Sequence, residues 1–496
     1  MLLPPTYLGI NLGIFEVRVA LFDSANQILA DAAVRLTRSS PQSHWSEQSP
    51  EEWWHATLEA IAKVRADSPA GFNSLSGIGV SGQTQGTVLL DKHHRLLRPA
   101  ILWSDTRARA ECIELEAMVT NSRHITGNMA LPSFTAPKLL WLQKYERSVF
   151  DNIAKVLMPK DFIVFRLTGE FVTEMSDASS TLCFDVEHRS WSDRMIAAIG
   201  LSREQFPRLA EGSEKVGDLR APLADAWNLK RAVPIATGAA RPAATALGLG
   251  AIKEGDAYVS LGPSGLTFVS TTGPRPSPER AVRNFGHCLP NLWSQMSVAP
   301  ACTTNLEWWA SILGSASRET IYAQAAKAKK HESPVFLPYL NGASTPHNDA
   351  RASGIFFGLT EDTTPDMIAY ALLEGVAFSV ADGIAAIKDT GTRIRQASLI
   401  GDGSQNRFWS ELVVTACGMP LNLHDNEFDA AGLGAARLAS LAAGSCSIAD
   451  LSFSAPVVET IVPRADWQEE LEIRHARFRR LYRALKSEFS LQEPEP

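Results

Sequence analysis

A mixed α/β protein of two large domains is the fold the sequence predicts, and three observations carry that prediction. The chain has 496 residues, too many for one compact core. Two strand–turn–strand segments, each with glycine in its turn, stand about half the chain apart, as in an internal duplication. Between and after them lie stretches with helix start signals and apolar residues at helical spacing. Strands interleaved with helices build layers in which each element buries one face against the next.

The first hairpin runs Tyr7-Leu8-Gly9-Ile10-Asn11-Leu12-Gly13 and then Val17-Arg18-Val19-Ala20-Leu21-Phe22, β-rich runs joined by a tight turn. Ser49-Pro50-Glu51-Glu52 reads as a capping box with proline at the first helical position, placing Trp54, Leu58 and Ile61 on one face. The second hairpin runs from Ala257 through Leu261-Gly262-Pro263-Ser264-Gly265 to Ser270. Thr364-Pro365 opens a helix carrying Ile368, Leu372 and Val376. Asp466 with Glu469 is expected to cap another, with Leu471, Phe478, Leu481 and Leu485 as its stripe. All three stripes are expected in the core, and residues 492–496 as a frayed tail.

Composition excludes several classes of function. Hydrophobic residues make up 45% and charged residues 20%, the balance of a soluble globular protein. A net charge of -7 without a long basic run argues against nucleic acid or an anionic membrane as partner. Met1-Leu2-Leu3-Pro4-Pro5 lacks the basic start and apolar run of a secretory signal. No apolar stretch is expected to reach the roughly 20 residues that cross a bilayer. The six cysteines (Cys112, Cys183, Cys288, Cys302, Cys417, Cys446) are dispersed without a C-x-x-C pair, so reduced thiols in a cytoplasmic protein are expected and no metal site is.

Several phrases together resemble one family. Trp45-Ser46-Glu47-Gln48 with Trp53-Trp54 is similar to the W-S-E-Q…W-W phrase of the FGGY carbohydrate kinases. The run Ser133 to Leu142 resembles that family's first signature and departs from it at Tyr145. Gly354-Ile355-Phe356-Phe357-Gly358-Leu359, continuing to Leu373-Glu374, resembles the second, with Met367 and Leu372 off pattern. Phe336 to Leu340, Thr345 to Asn348, Pro159-Lys160-Asp161 and Ser176-Asp177-Ala178-Ser179 belong to the same set. Within the family the phrases resemble those of bacterial xylulose kinases, and the likeness runs from about residue 7 to about residue 488. The resemblance implies two ribonuclease H-like domains of the actin and hexokinase type with a cleft between them. A sugar-side domain is expected over 1–250, a nucleotide-side domain over 251–488 and a tail over 489–496. ATP and Mg²⁺ are the implied cofactors, sugar and nucleotide the implied small-molecule partners, and a homodimer is compatible with the family.

The implied site departs from the family where chemistry should occur. A D-L-G-T turn is here Asn11-Leu12-Gly13-Ile14-Phe15, so a carboxylate on the metal side has become a neutral amide, a poorer partner for a hard cation. The sugar phrase G-Q-M-H-G is Gly82-Gln83-Thr84-Gln85-Gly86, and Trp103-Ser104-Asp105 keeps an aromatic ring and a carboxylate; Gln83, Gln85, Trp103 and Asp105 are the candidate sugar contacts. The second phosphate turn, L-G-T-S-G in the family, is Leu261-Gly262-Pro263-Ser264-Gly265, and proline removes a hydroxyl and a backbone N–H. Gly401-Asp402-Gly403-Ser404-Gln405-Asn406 stands for the adenine-side phrase, with Asp402 adding negative charge. Asn11, Gly13, Gly262, Ser264, Gly265, Gly401, Gly403, Ser404 and Asn406 are thus the candidate nucleotide residues. Gly342-Ala343-Ser344-Thr345-Pro346 replaces G-E-R-T-P and lacks its Glu-Arg couple.

Where the family carries the Asp that takes a proton from the sugar hydroxyl, Thr237-Gly238-Ala239-Ala240 is followed by Arg241-Pro242. Guanidinium has a pKa above about 12 and no lone pair for a proton, so it is no general base. Three readings follow. The chain is a ketose kinase, xylulose being the favoured sugar, with weak or lost transfer and Asp105 as the available substitute base. Alternatively it is a binding protein on a kinase scaffold, or a protein whose Arg241 faces a sugar acid or sugar phosphate.

Overall fold

The structure, a computed structural model, describes residues 4–490 apart from 315, 426–428 and 452–454; the tail expected at 492–496 lies outside the described residues. Tyr7, Leu8, Ile10 and Leu12 are buried along β1 (Thr6–Leu12), a near-continuous apolar run suited to a strand covered on both faces. Gly13 turns the chain into antiparallel β2 (Glu16–Asp23), and β3 (Ile28–Arg35) extends the meander. Helix α1 (Pro50–Asp67) packs on β2 and β3 and leads to β4 (Leu75–Gly82), parallel to β1. Later come α2 (Pro159–Thr168), α3 (Met175–Ser179), β5 (Lys215–Asp218), β6 (Pro234–Ala236), β7 (Ala239–Ala240) and α4 (Arg241–Leu249). The first sheet has the order β5-β6-β4-β1-β2-β3, with β7 also against β4.

The second sheet repeats that plan. Strands β8 (Asp256–Leu261) and β9 (Gly265–Thr271) form a hairpin with Tyr258 opposite Phe268. β10 (Arg283–Gly286) and β11 (Trp293–Ala299) follow, then α5 (Thr303–Ile312) and α6 (Pro365–Lys388). β12 (Gln396–Ile400) pairs parallel with β8. The remaining elements are α7 (Arg407–Cys417), β13 (Leu421–Leu423), α8 (Ala430–Ala442), β14 (Glu459–Ile461) and α9 (Ala465–Ser490). The order is β10-β11-β9-β8-β12-β13-β14. In both sheets a hairpin carries a further antiparallel strand on one side and a parallel strand on the other, so the two glycine hairpins seen in the sequence occupy equivalent places.

Helix α6 forms as its start signal predicts: Thr364 Oγ1 accepts from Met367 N at 3.4 Å, and Ile368, Leu372 and Val376 are buried. The expectation that no apolar stretch approaches membrane-spanning length does not hold. α6 has 24 residues, and an 18-residue stretch of it has mean hydropathy 1.5, but 94% of that stretch is buried, packed on β11, α7 and α9. Two caps also differ from expectation. Ser49 makes no side-chain cap on α1, because Glu52 instead accepts from Thr37 N at 2.8 Å. Asp466 lies inside the first turn of α9 and pairs with Arg464 at 2.7 Å.

Helix α8, from the second half of the sequence, lies on the first sheet. Its backbone meets β1 and β4 where a side chain on Gly9 or Gly79 would strike the carbonyls of Gly432 or Ala435. It crosses α4 just as closely, with Gly434 against the carbonyl of Ala244 and Gly248 against that of Ala430. Glycine is required at this crossing because any Cβ would force the two helices apart.

Candidate active site

The C-terminal ends of β1, β4 and β7 bring Gly13, Gln83 and Arg241 to one cleft, and those of β8 and β12 bring the Gly262 and Gly401 loops. Strand ends of this kind are where open α/β sheets present ligand sites. The first turn is held from behind by amides. Gln83 Nε2 donates to the Gly13 carbonyl at 3.3 Å and to Gln48 Oε1 at 3.0 Å. Gln48 Nε2 donates to the Ile14 carbonyl at 2.7 Å, and Trp53 Nε1 donates to Gln48 at 3.1 Å. Gln83 is therefore a clamp on the turn, and the W-S-E-Q…W-W phrase supplies its other members.

Asn11 Nδ2 donates to Asp429 Oδ1 at 3.3 Å, and the same oxygen caps α8 by accepting from Gly432 N at 2.9 Å. Burial raises the Asp429 carboxyl above its ordinary pKa, opposed by Gly432 N and by Arg18, Asn11 and Arg241. Sequence reasoning missed Asp429 because it is 418 residues from Asn11. Arg241 opens α4, and its Nη1 lies 3.8 Å from where a Cβ on Gly13 would stand. The guanidinium thus faces the Gly13 turn. Arg241 is exposed to the cleft; partial loss of water lowers its pKa, with Tyr258 and Asp429 acting in the other direction. Among the described residues no group of three or more His, Cys, Asp or Glu is placed to hold a metal ion. Asp429 Oδ1 is taken by Asn11 and Gly432 N, and Asp429 Oδ2 and Asn11 Oδ1 are buried without a hydrogen-bond partner, so the described residues offer Mg²⁺ one carboxylate oxygen and one amide oxygen here, a poor set for a hard cation held by protein alone.

Beside the head of α4 opens a small recess of about 30 Å³, room for one or two water-sized groups. Gln85 lines it; Gln83, Trp103 and Asp105 do not. Gln85 has φ +64°, and Lys138 Nζ steadies it by donating to its carbonyl at 2.8 Å and to that of Ser133 at 2.8 Å. Burial lowers the Lys138 ammonium to about 7. The Gln85 side-chain amide has no hydrogen-bond partner in the protein although the residue is only 3% exposed. Trp103 is 36% exposed. Asp105 is not available as a substitute base: its oxygens accept from Ser46 N at 2.6 Å, Arg107 N at 3.0 Å, and Arg107 Nε and Nη2 at 2.9 and 2.6 Å.

The recess rests on a buried ionic cluster. Lys160 Nζ is 2.5 Å from Asp161, 3.6 Å from Asp177 and 4.0 Å from Glu174. Glu174 and Ser176 accept from Ala240 N at 3.2 and 3.1 Å, fixing the residue before Arg241. The Pro159-Lys160-Asp161 and Ser176-Asp177 phrases thus position the head of α4.

In the second half, α5 takes up the turn carbonyls: Thr303 N donates to Gly262 at 3.0 Å and Cys302 N to Pro263 at 2.9 Å. Ser264 and Gly265 follow in the same turn, the Ser264 hydroxyl without a protein partner and Gly265 buried. Gly401 has φ +91°, and a Cβ there would lie 2.9 Å from the backbone of Leu261, so the two loops touch. Gly403 packs on Trp409, Ser404 Oγ donates to the Gly401 carbonyl at 2.7 Å, and Asn406 Oδ1 caps α7 by accepting from Trp409 N at 2.9 Å. Asp402 is drawn 3.5 Å from Arg318, which offsets its charge.

Residues 6–248 match the model of the N-terminal domain of the FGGY family of carbohydrate kinases, and residues 257–443 that of its C-terminal domain. The chain is 42% identical to the xylulose kinase of Escherichia coli K12 over 481 residues, covering 97% of this chain and 99% of that one. It is also 42% identical to the xylulose kinase of Klebsiella pneumoniae, covering 88% and 90%. Among solved structures, that of a xylulose kinase from Brucella ovis superposes with TM-score 0.93 at 40% identity, covering 97% of this chain and 99% of the other.

Proposed function

The chain belongs to the FGGY family of carbohydrate kinases, and from that premise we propose that it binds a ketopentose such as D-xylulose but transfers phosphate from ATP to it slowly or not at all. Phosphoryl transfer is mainly positioning and charge neutralisation, with a base to take the acceptor's proton. The observation that carries the reading is Arg241 at the head of α4, its guanidinium against the Gly13 turn. A general base contributes about 10²–10⁴ in rate. We take neither nearby carboxylate as its substitute: Asp105 is held by Arg107, and Asp429 caps α8 with Oδ1 taken by Asn11 and Gly432 N, leaving only Oδ2 without a partner.

Nucleotide is assigned to the touching loops of the second half, through backbone donors at Gly262, Ser264, Gly265, Gly401 and Gly403, with Ser404 and Asn406 shaping the second loop. Asn11 and Gly13 face its phosphates. Mg²⁺ is no protein ligand in this proposal, and no step is routed through it. A second reading, ligand binding without catalysis, is favoured by one observation: the recess and the free Gln85 amide persist although the transfer groups are replaced. A coupled assay with ATP, Mg²⁺ and D-xylulose tests the first reading. Turnover is expected well below the roughly 1 s⁻¹ of an ordinary kinase, and a rate at or above it overturns the weakened-transfer reading. D-xylulose is expected to raise the melting temperature in either case.

A further inference from the structure

Arg283 is the one ionisable residue lining the recess. It stands on β10 opposite Met296 of β11, and Phe285 stands opposite Ser294. Met296 is in turn opposite Phe268 of β9. These residues share one face of the second sheet, and that face forms the recess wall across from Gln85 and the head of α4. The guanidinium has no carboxylate within salt-bridge distance and no hydrogen-bond acceptor among the described residues, and its buried Nε is unpaired. The Phe134 ring lies 6.0 Å from it.

Three other arginines with buried side chains are paired with carboxylates. Arg107 is paired with Asp105 and Glu47, Arg474 with Glu374, and Arg98 with Glu47 and Glu146. A guanidinium removed from water without a counter-charge is costly. Here burial alone lowers its pKa to about 10, with no acid to offset it, so it stays cationic at neutral pH. The planar donor fork suits a two-oxygen anion. Gln85, an unpartnered amide across the same space, is equipped for hydroxyls.

We infer that the recess receives the anionic end, a carboxylate or a phosphate, of a polyol whose remainder extends into the cleft, with Arg283 as the anion's partner and Gln85 as a hydroxyl partner. The inference rests on the proposed sugar site and names its ligand class. It also moves the anion contact expected at Arg241, which faces the Gly13 turn, to a residue that the sequence does not single out.

The test is calorimetric titration of the full chain with D-xylulose, D-xylonate, D-xylulose 5-phosphate and inorganic phosphate, repeated on Arg283→Gln and Arg241→Gln. At least one anionic sugar is expected to bind on the order of tenfold or more tightly than D-xylulose. The carboxylate and phosphate arms identify which anion it is. Arg283→Gln should abolish that preference while keeping D-xylulose binding, which also shows that the variant is folded; Arg241→Gln should keep it. Neutral sugar bound as well as the anions overturns the inference and leaves the sugar-site reading intact. Anion preference that survives Arg283→Gln, or that belongs to inorganic phosphate alone, overturns it too. Binding of none of the sugars overturns the sugar site and this inference together.

Discussion

Arg241 faces the Gly13 turn, and in the proposed reading it is one of three departures that weaken transfer together. With Asn11 neutral, Arg241 cationic and Pro263 lacking an N–H, restoring one position leaves the others as they are. Arg241→Asp with Pro242→Asn should therefore remain below about 1 s⁻¹ in the coupled assay, since a new carboxylate would also stand close to Asp429 and be pushed toward its protonated form. An ordinary kinase rate from that pair would show that the turns do not limit transfer. Most of the cleft was legible because glycine turns and short motifs are local. Roles that depend on contacts were not. Gln83, a candidate sugar contact, also clamps Gly13 through its Nε2; Asp105, the candidate substitute base, is held by Arg107; and Arg283 carries no motif at all. Asp429 reaches Asn11 only through the tertiary fold.

Helix α4 shows how an element's head is fixed by groups from elsewhere. Its preceding residue is held by Glu174 and Ser176 above the Lys160 cluster, where three carboxyls share one ammonium. Burial raises Asp177 well above its ordinary value, with Lys160 opposing and Asp161 and Glu174 adding to the rise. The folded protein then holds a proton that the unfolded chain has released above about pH 4. Stability should fall as pH rises from there toward the folded pKa, by at most about 1.4 kcal/mol per pH unit from this group. Asp177→Asn should flatten that fall in urea titrations run at a series of pH values; an unchanged slope would mean that Asp177 is already ionised in the folded protein. Among helices, α6 was readable from Thr364-Pro365 because its cap is local. The cap at Ser49 was misread because Glu52 is drawn to Thr37, on a neighbouring segment that no window of the sequence includes.

At the scale of the molecule, the duplication visible as two hairpins proves to be two sheets of like plan, but the halves are not independent. Helix α8 of the second half covers β1 and β4 of the first. A fragment ending at residue 250 would expose that sheet face, and it should show no cooperative thermal transition by circular dichroism; a sharp, reversible melt would show that the first half folds without α8. The expected division at 250 and 251 thus marks a place in the sequence and not a separable unit in this proposal. Helix α6 carries a different liability. Its 24 apolar-rich residues pass for a lipid-seeking segment until α7 and α9 close over them, and α9 leaves the ribosome only after residues 389–464 have been made. During that interval the nascent chain presents a greasy rod to the cell, and a holdase chaperone that shields it would govern how much protein is recovered at high expression.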